Sequence, residues 1–551
     1  MRLRCAINEP LPTNATFDLV TDPWLPCRRP DGVIEELGIL TVLSRAHALA
    51  GLSGELPTQT FALTRLLLAV LHSAIDGPRD LDDWQRLWEA ETLPVDQIEN
   101  YLDRYRDRFY LVHPTTPFLQ VPDLRTAKGE TSELSKLVAD VPNGEPFFTT
   151  RRADAITLSF AEAARWLVHI HAFDMSGIKS GAVGDPRVKS GRGYPIGVGW
   201  SGSLGGVLLE GRTFKETLLL NLVADTPEFR RDPETDRPVW ERPQLTAAEE
   251  VPGGRTPTGP VDLYVWPSRR VRLVRTGDRV TSVLIANGDK LTPQNMHLYE
   301  PHTAWRRSQA QEKKAGASTP VYMPRKHDAD RAIWRGLQSL LPAGDRQAGD
   351  AADSLAPGVV EWLGVLTYER IVDRDYPVRV RAIGMTYGQQ ESSVTDVIDD
   401  ALALRAMLTQ RDAGALVGIA VSGVEVAEAA VQAVGNLAGD LAAAAGGDGT
   451  GRRSRVMERA YARLDQPYRS WLLTLTPEAV ELDLKAEWQR TVLEIVRDEG
   501  RELLEDIPPA AWEGRVVRGH VLTAAHAADR FDRAVREALP LAFAQHAGVP
   551  A

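Results

Sequence analysis

The spacing of apolar and polar positions divides the chain into a mixed first part and a helical second part. Leu56–Ile75 carries Phe61, Leu63, Leu67, Val70 and Leu71 at helical spacing behind Pro57, which predicts an amphipathic helix packed on a core. Trp84 and Trp88, four apart, predict a second helix, Ile98–Phe109 a third and Ser159–His171 a fourth. Phe17–Cys27 (FDLVTDPWLPC) reads as a short strand and a proline-fixed turn, and Asp31-Gly32 turns the chain into Val33–Leu37. Val261–Ile285 alternates over VDLYVW, RRVRLVR and VTSVLI, a strand meander, and Pro377–Ile383 (PVRVRAI) is a further alternating strand. His113–Leu124 (HPTTPFLQVPDL) is too proline-rich for a helix and reads as an irregular loop on the core.

Ser393 to Asp396 matches a capping box, and helical periodicity dominates from Val394 onward. Val424, Val431, Val434, Leu437 and Leu441 form one stripe that ends at Gly446–Gly451. Arg455–Leu473, Leu484–Ile507 and Arg515–Leu539 follow, broken by Pro477 and by Pro508-Pro509. The expected architecture is therefore an α+β N-terminal domain with mixed or antiparallel strands and helices over residues 1–393. An all-α C-terminal four-helix bundle over residues 394–551 completes it.

One stretch breaks every period. Asp174–Asn221 holds eleven glycines, ten of them between Gly177 and Gly206, too many for a helix or a regular strand. Lys179, Arg187, Lys189 and Arg192 are interleaved with them, and Ser176–Thr217 carries six Lys/Arg against three Asp/Glu. Exposed amides among cations suit phosphates or the floor of a nucleic-acid groove; a solvated glycine-rich connector has the same composition. Neither Lys179 nor Lys189 has the glycine directly before it that a Walker loop needs, and no dinucleotide fingerprint follows a strand, so nucleotide hydrolysis is not expected.

Composition narrows the rest. The chain has 551 residues and net charge −11, which excludes a nucleic-acid coat but not a local basic track. Two cysteines, Cys5 and Cys27, build neither a disulfide framework nor a cysteine zinc site. No apolar run reaches membrane-spanning length and Met1–Thr16 lacks a signal core, so a soluble, cytoplasmic protein is expected. His169 and His171 form an H-x-H pair next to Asp174, but residues two apart on a helix face different sides and no nearby Cys, Glu or His cluster completes the three or four ligands that a metal needs. Pro301–His327 is the most basic run, six Lys/Arg against Glu312 alone, and reads as a mobile solvated loop. Asn287-Gly288-Asp289-Lys290 is a tight turn with a lysine beside its tip. Gly384–Glu391 is a flexible tip bearing Gln389 and Gln390. Phe147, Phe148, Arg151 and Arg152 juxtapose aromatic and basic groups, an RNA contact or an ordinary core-to-surface transition.

FDLVTDPWLP, HPTTPFLQ, the KSGRGYP continuation of the glycine stretch and the long helical C-terminus, taken in that order, resemble one family over nearly the whole chain. It is the CasA family, the large subunit of the type I-E CRISPR Cascade surveillance complex. The resemblance implies a subunit without catalysis or cofactor. It would read a short protospacer-adjacent motif on duplex DNA from the minor groove and begin strand separation for R-loop formation. Its implied partners are guide RNA, the other Cascade subunits, double-stranded target DNA and a recruited helicase-nuclease. On that resemblance the groove-entering loop corresponds to Ser180, Gly181, Ala182, Val183 and Gly184, backed by Lys189 and Arg192. The groove lysine corresponds to Lys290, and the strand-splitting amide to Gln389 or Gln390 on a Gly384–Gly388 turn. Phe147, Phe148 and Arg151 would meet RNA and the neighbouring subunit. Some members hold zinc through four cysteines; with two, this chain is expected to hold no metal. Two other classes stay open on residues alone, a metal-dependent nuclease or hydrolase and a pure protein–protein adaptor.

Overall fold

A computed structural model describes residues 15–140, 156–225, 234–316, 319–342, 352–517 and 519–544. Two compact units emerge, one from residues 1–330, 349–372 and 378–401, the other from 331–348, 373–377 and 402–551.

The first unit mixes helices and strands around helix α1, Pro57–Ile75. Pro57 opens it at a position where no N–H is needed, and Asp76 closes it in a left-handed conformation. Fifteen of its residues are buried, Arg65 among them, so it is a central helix and not a surface one. Arg65 pairs with the fully buried Glu300 at 2.7 Å, and Trp200 Nε1 donates to the same carboxylate at 2.6 Å. Burying two charges is tolerated only when both are paired and hydrogen-bonded. Helix α2, Phe160–Phe173, packs on α1 and starts from a full capping box between Ser159 and Glu162.

Strand β1, Gly206–Glu210, pairs with the long strand β4, Pro377–Tyr387, which also pairs with β5, Val394–Arg405. Between them in sequence lies the antiparallel hairpin β2–β3, Arg269–Thr276 and Arg279–Asn287, turned at Gly277. The meander expected over Val261–Ile285 is therefore two strands. VDLYVW instead begins with a short helix, Pro260–Tyr264, because Asp236 accepts the N–H groups of Val261 and Asp262 and caps it. The helical reading from Val394 is also overturned. Hairpin pairing with β4 and the Arg381–Asp399 bridge at 2.6 Å outweigh a local capping signal. The basic run is ordered where described: Trp305–Arg307 pairs with Tyr322–Pro324 and Ser354–Leu355, and Glu312 bonds Arg307 at 2.8 Å.

The second unit is helical over most of its length. Helices α3 (Gly414–Ala445), α4 (Thr450–Leu472), α5 (Glu481–Glu505) and α6 (Ala524–Ala538) carry its buried stripes, and α3 packs on each of the other three. Arg515–Leu522, expected within the last helix, is a hairpin turned at Gly519, and the helix starts at the Thr523 cap. Among the described residues two helical stretches are, by length and composition alone, long and apolar enough to cross a bilayer, where the sequence reading found no such run. Pro57–Ile75 is 83% buried over its apolar window, and Arg411–Ala445 39%.

Candidate nucleic-acid interface

The glycine stretch folds back on itself. Lys179–Ser180 pairs with Arg192–Gly193, and Lys189 and Arg192 exchange two backbone hydrogen bonds of 3.0 Å across Ser190-Gly191. Both turn residues have positive φ (50° and 71°), the backbone of a tight hairpin turn. Inside this turn Gly181 N–H donates to Gly191 O at 3.2 Å. Ala182 bridges to Thr126 and Val183 N–H donates to Arg125 O at 2.9 Å, so the loop is tied down on both sides. Gly181 and Ala182 are buried, Ser180 is half-buried, and Val183 and Gly184 are exposed.

The four interleaved cations divide by role. Lys179 Nζ lies 2.7 Å from the buried Asp174, and Arg187 bonds Asp185 at 3.0 Å and Glu249 at 3.1 Å. Those two hold the loop together. Lys189 and Arg192 face outward, on either side of the turn. Tyr194, unremarked in the sequence, is 54% exposed just beyond Arg192; an exposed aromatic directly after a basic glycine turn was the available signal.

Arg187 also donates to Gly288 O at 2.9 Å and Asn287 O at 3.3 Å, while Asn287 Nδ2 donates to Tyr194 O at 2.6 Å. The glycine hairpin is thus bolted to the turn bearing the exposed Lys290. Asp289 beneath it is buried, bonded to Arg270 at 3.0 Å and to Glu250 N–H at 2.9 Å.

The glutamine tip lies further along than the sequence placed it. Gly384–Tyr387 completes strand β4, and the turn runs from Gly388 to Ser393, closed by Gly388 N–H to Ser393 O at 2.9 Å. Gln389 and Gln390 are exposed, and Gln390 and Glu391 have left-handed φ values of 56° and 55°. Ser176 N–H donates to Glu391 O at 2.8 Å. A cavity of ≈ 270 Å³ is lined by Lys179 and Ser180 of the hairpin and by Ser392 of the tip. The structure therefore brings together the hairpin, the Lys290 turn and the Gln389–Gln390 tip within one unit. Phe147, Phe148 and Arg151 lie outside the described residues.

The histidine pair is committed elsewhere. His169 Nε2 is 2.9 Å from Thr58 Oγ1, and His171 Nε2 donates to Leu119 O at 2.9 Å. Burial pushes their imidazoles down to about 3 and about 4. Burial opposes ionisation of Asp174, but Arg269 and Lys179 outweigh it and hold the carboxyl below the usual range. Among the described residues no three His, Cys, Asp or Glu side chains are grouped to hold a metal.

A family model described as CRISPR-associated protein Cse1 matches residues 18–498. The crystal structure of Thermobifida fusca Cse1 superposes with a TM-score of 0.89 at 47% identity, covering 96% of this chain and 99% of that one. The chain belongs to the CasA/Cse1 family. Cse1 from Acidimicrobium ferrooxidans superposes with a TM-score of 0.80 at 31% identity over 97% of this chain and 99% of that one. A curated CasA/Cse1 protein of Thermus thermophilus is 34% identical over 348 residues, 62% of this chain and 62% of the relative, so that match spans under two thirds of the relative's length. The family assignment agrees with the resemblance to the large Cascade subunit, and the Cse1 fold shares the mixed helix-and-strand build with a helical C-terminal region.

Proposed function

We propose that this chain is a non-catalytic subunit of an RNA-guided complex that reads a short motif on double-stranded DNA and starts opening the duplex. The observation carrying this reading is the convergence of three exposed features on one tied framework. They are the Lys189/Arg192 hairpin with Val183 and Gly184 at its surface, the Lys290 turn, and the Gln389–Gln390 tip. The hairpin turn carries no side chain at the exposed Gly191, so its backbone can approach the floor of a minor groove closely, where few donors and acceptors distinguish the base pairs. Separating the first base pairs costs a few kcal/mol of stacking, and a polar tip beside the anchored hairpin is placed to offset part of that. The long sequence is read by pairing with the guide, so this subunit needs only the motif and the DNA backbone. The remaining partners in this proposal are those the family resemblance implies: guide RNA, the other subunits of the complex and a helicase-nuclease that acts after target recognition.

The test is duplex binding and strand opening by the assembled complex, with a matched target and either an intact or a scrambled motif. Lys290→Ala is expected to weaken binding to intact-motif and scrambled duplexes alike, Val183→Asp to reduce motif-dependent binding, and Gln390→Ala to slow opening with little effect on the initial encounter. Wild-type behaviour of all three would refute the reading and leave the adaptor role.

A further inference from the structure

The sequence singled out Asp174 for a ligand set that it does not form, and nothing in the proposed DNA contacts uses it. Its surroundings give it another task. Phe173–Ser176, the four residues at the end of helix α2 and just beyond it, touch the glycine hairpin and the glutamine tip directly and reach the Lys290 turn through Arg269. Asp174 Oδ2 holds Lys179 Nζ at 2.7 Å, on the first strand of the glycine hairpin. The same oxygen accepts from Arg269 Nε, on the strand whose hairpin partner runs into Asn287–Lys290. Arg269 also donates to Met175 O at 3.1 Å and to Gly197 O at 2.8 Å, clamping the far end of the glycine stretch. Tyr387, at the base of the glutamine tip, donates through its hydroxyl to Phe173 O at 2.7 Å, and Ser176 N–H reaches Glu391 O. Gly202 makes room for Tyr387, since a Cβ there would collide with its hydroxyl.

We infer that Asp174 is a positioning residue: it fixes the hairpin, the Lys290 strand pair and, through its flanking backbone, the glutamine tip as one body, so that seating the hairpin in DNA aims the tip. Three features make this more than core packing. Asp174, Arg269 and Lys179 put two cations on one carboxylate in a site almost without water: Asp174 is 8% and Arg269 1% exposed. Such a charge set is costly to bury and stiff once built. The tethers lead to three different elements: Lys179 to the hairpin, Arg269 to the strand pair that ends in the Lys290 turn, and Tyr387 to the tip. The tethers also meet where the chain leaves a long helix, so the framework behind them is rigid.

The inference rests on the proposed DNA reading, and the test separates the two. Removing Asp174 itself would strand two buried cations, so the informative variants cut single tethers. Lys179→Met cuts the Asp174 tether to the hairpin while Asp174 stays neutralised by Arg269, and Tyr387→Phe cuts the side-chain tether to the tip. In the assembled complex, each is expected to cut discrimination between intact-motif and scrambled duplexes on the order of ten-fold. Tyr387→Phe should also reduce the non-additivity between Lys290→Ala and Gln390→Ala in strand opening, and Lys179→Met that between Arg192→Ala and Gln390→Ala. Lys179→Arg, which keeps the charge on Asp174, is expected to restore the discrimination and the Arg192 coupling. If Lys290→Ala and Gln390→Ala each have no effect in the wild-type background, the DNA reading itself fails. If they act and are coupled, yet the coupling of Lys290 to the tip survives Tyr387→Phe unchanged and that of Arg192 survives Lys179→Met unchanged, the positioning role is refuted. Equal losses of melting temperature and discrimination, unrescued by Lys179→Arg, would also refute it in favour of plain core support.

Discussion

Replacing Gly181 by alanine separates the hairpin's framework from its surface. A Cβ at this position would stand 2.5 Å from the Gly191 carbonyl carbon and 2.8 Å from Val188 Cγ1. The nearer group is backbone of the facing strand, fixed by the bond that Gly181 itself donates to it, and it cannot swing aside as the end of a side chain would. Overpacking of this kind costs about 1–3 kcal/mol. Loss or distortion of the 3.2 Å hydrogen bond adds roughly 1 kcal/mol. Together these bring the penalty to about 2–4 kcal/mol, enough to open a surface hairpin locally while the unit stays folded. Val183→Asp is the matched control, because Val183 is 44% exposed and a surface change of that kind stays within about 0.5 kcal/mol of wild-type stability. Hydrogen exchange of the amides from 180 to 192 reads the first effect, and duplex binding by the assembled complex reads the second. Gly181→Ala should speed exchange by roughly thirty-fold or more and weaken binding as a consequence. Val183→Asp should leave exchange unchanged and weaken binding directly, more so at low salt. Wild-type exchange and wild-type binding in Gly181→Ala would show that the hairpin accepts a Cβ and that the close approach of its strands has no role.

Lys290→Ala should weaken duplex binding to all sequences and lower the slope of log affinity against log salt by about one, as loss of one phosphate contact requires; an unchanged slope would remove Lys290 from the interface. At Gln390, with φ of 56°, glycine is expected to leave the tip at least as stable as alanine does, within about 1 kcal/mol, while both slow strand opening equally. Wild-type opening in Gln390→Gly would move the wedge to Gln389. The buried His169, His171 and His302 predict acid sensitivity. Burial pulls His169 down to about 3 and the other two to about 4, below their unfolded value, so the native state binds fewer protons. Their contribution is complete above about pH 6.5 and declines as pH falls toward 4, by about 1.4 kcal/mol per pH unit for each histidine. Melting temperatures measured from pH 7.5 to 5 should fall accordingly, and a flat profile would mean these histidines are charged in the fold.

What the sequence disclosed followed the range of the forces involved. The helices at Pro57–Ile75 and Phe160–Phe173 were legible because their periodicity and end signals, Pro57 and the Ser159–Glu162 box, are local. Val394–Arg405 was misread because VTDVIDDALALR supports either period, and the choice is made by hairpin pairing with Pro377–Tyr387 across the Gly388–Ser393 turn, which the periodicity of the segment alone does not record. Arg515–Leu522 failed for the same reason in a shorter hairpin. At the candidate site the glycine loop, the lysine turn and the glutamine tip were found as separate stretches, through composition and resemblance. The bonds joining them were not, since Arg187 to Gly288 spans 101 residues and Tyr387 to Phe173 spans 214.

The same distance explains why counting charges misjudged this face. Six cations against three anions suggested a basic patch, yet Lys179 and Arg187 are spent on Asp174, Asp185 and Glu249 inside the framework. What points outward from the hairpin and the adjoining turn is Lys189, Arg192 and Lys290. Three outward cations on the hairpin and its adjoining turn, in a chain of net charge −11, give little long-range attraction, so selectivity has to come from where those groups are held. The triple replacement of Lys189, Arg192 and Lys290 by alanine should accordingly lower the salt slope of the assembled complex by about three and no more. A larger drop would mean that the buried cations leave their carboxylates to meet DNA, and that the framework opens on binding.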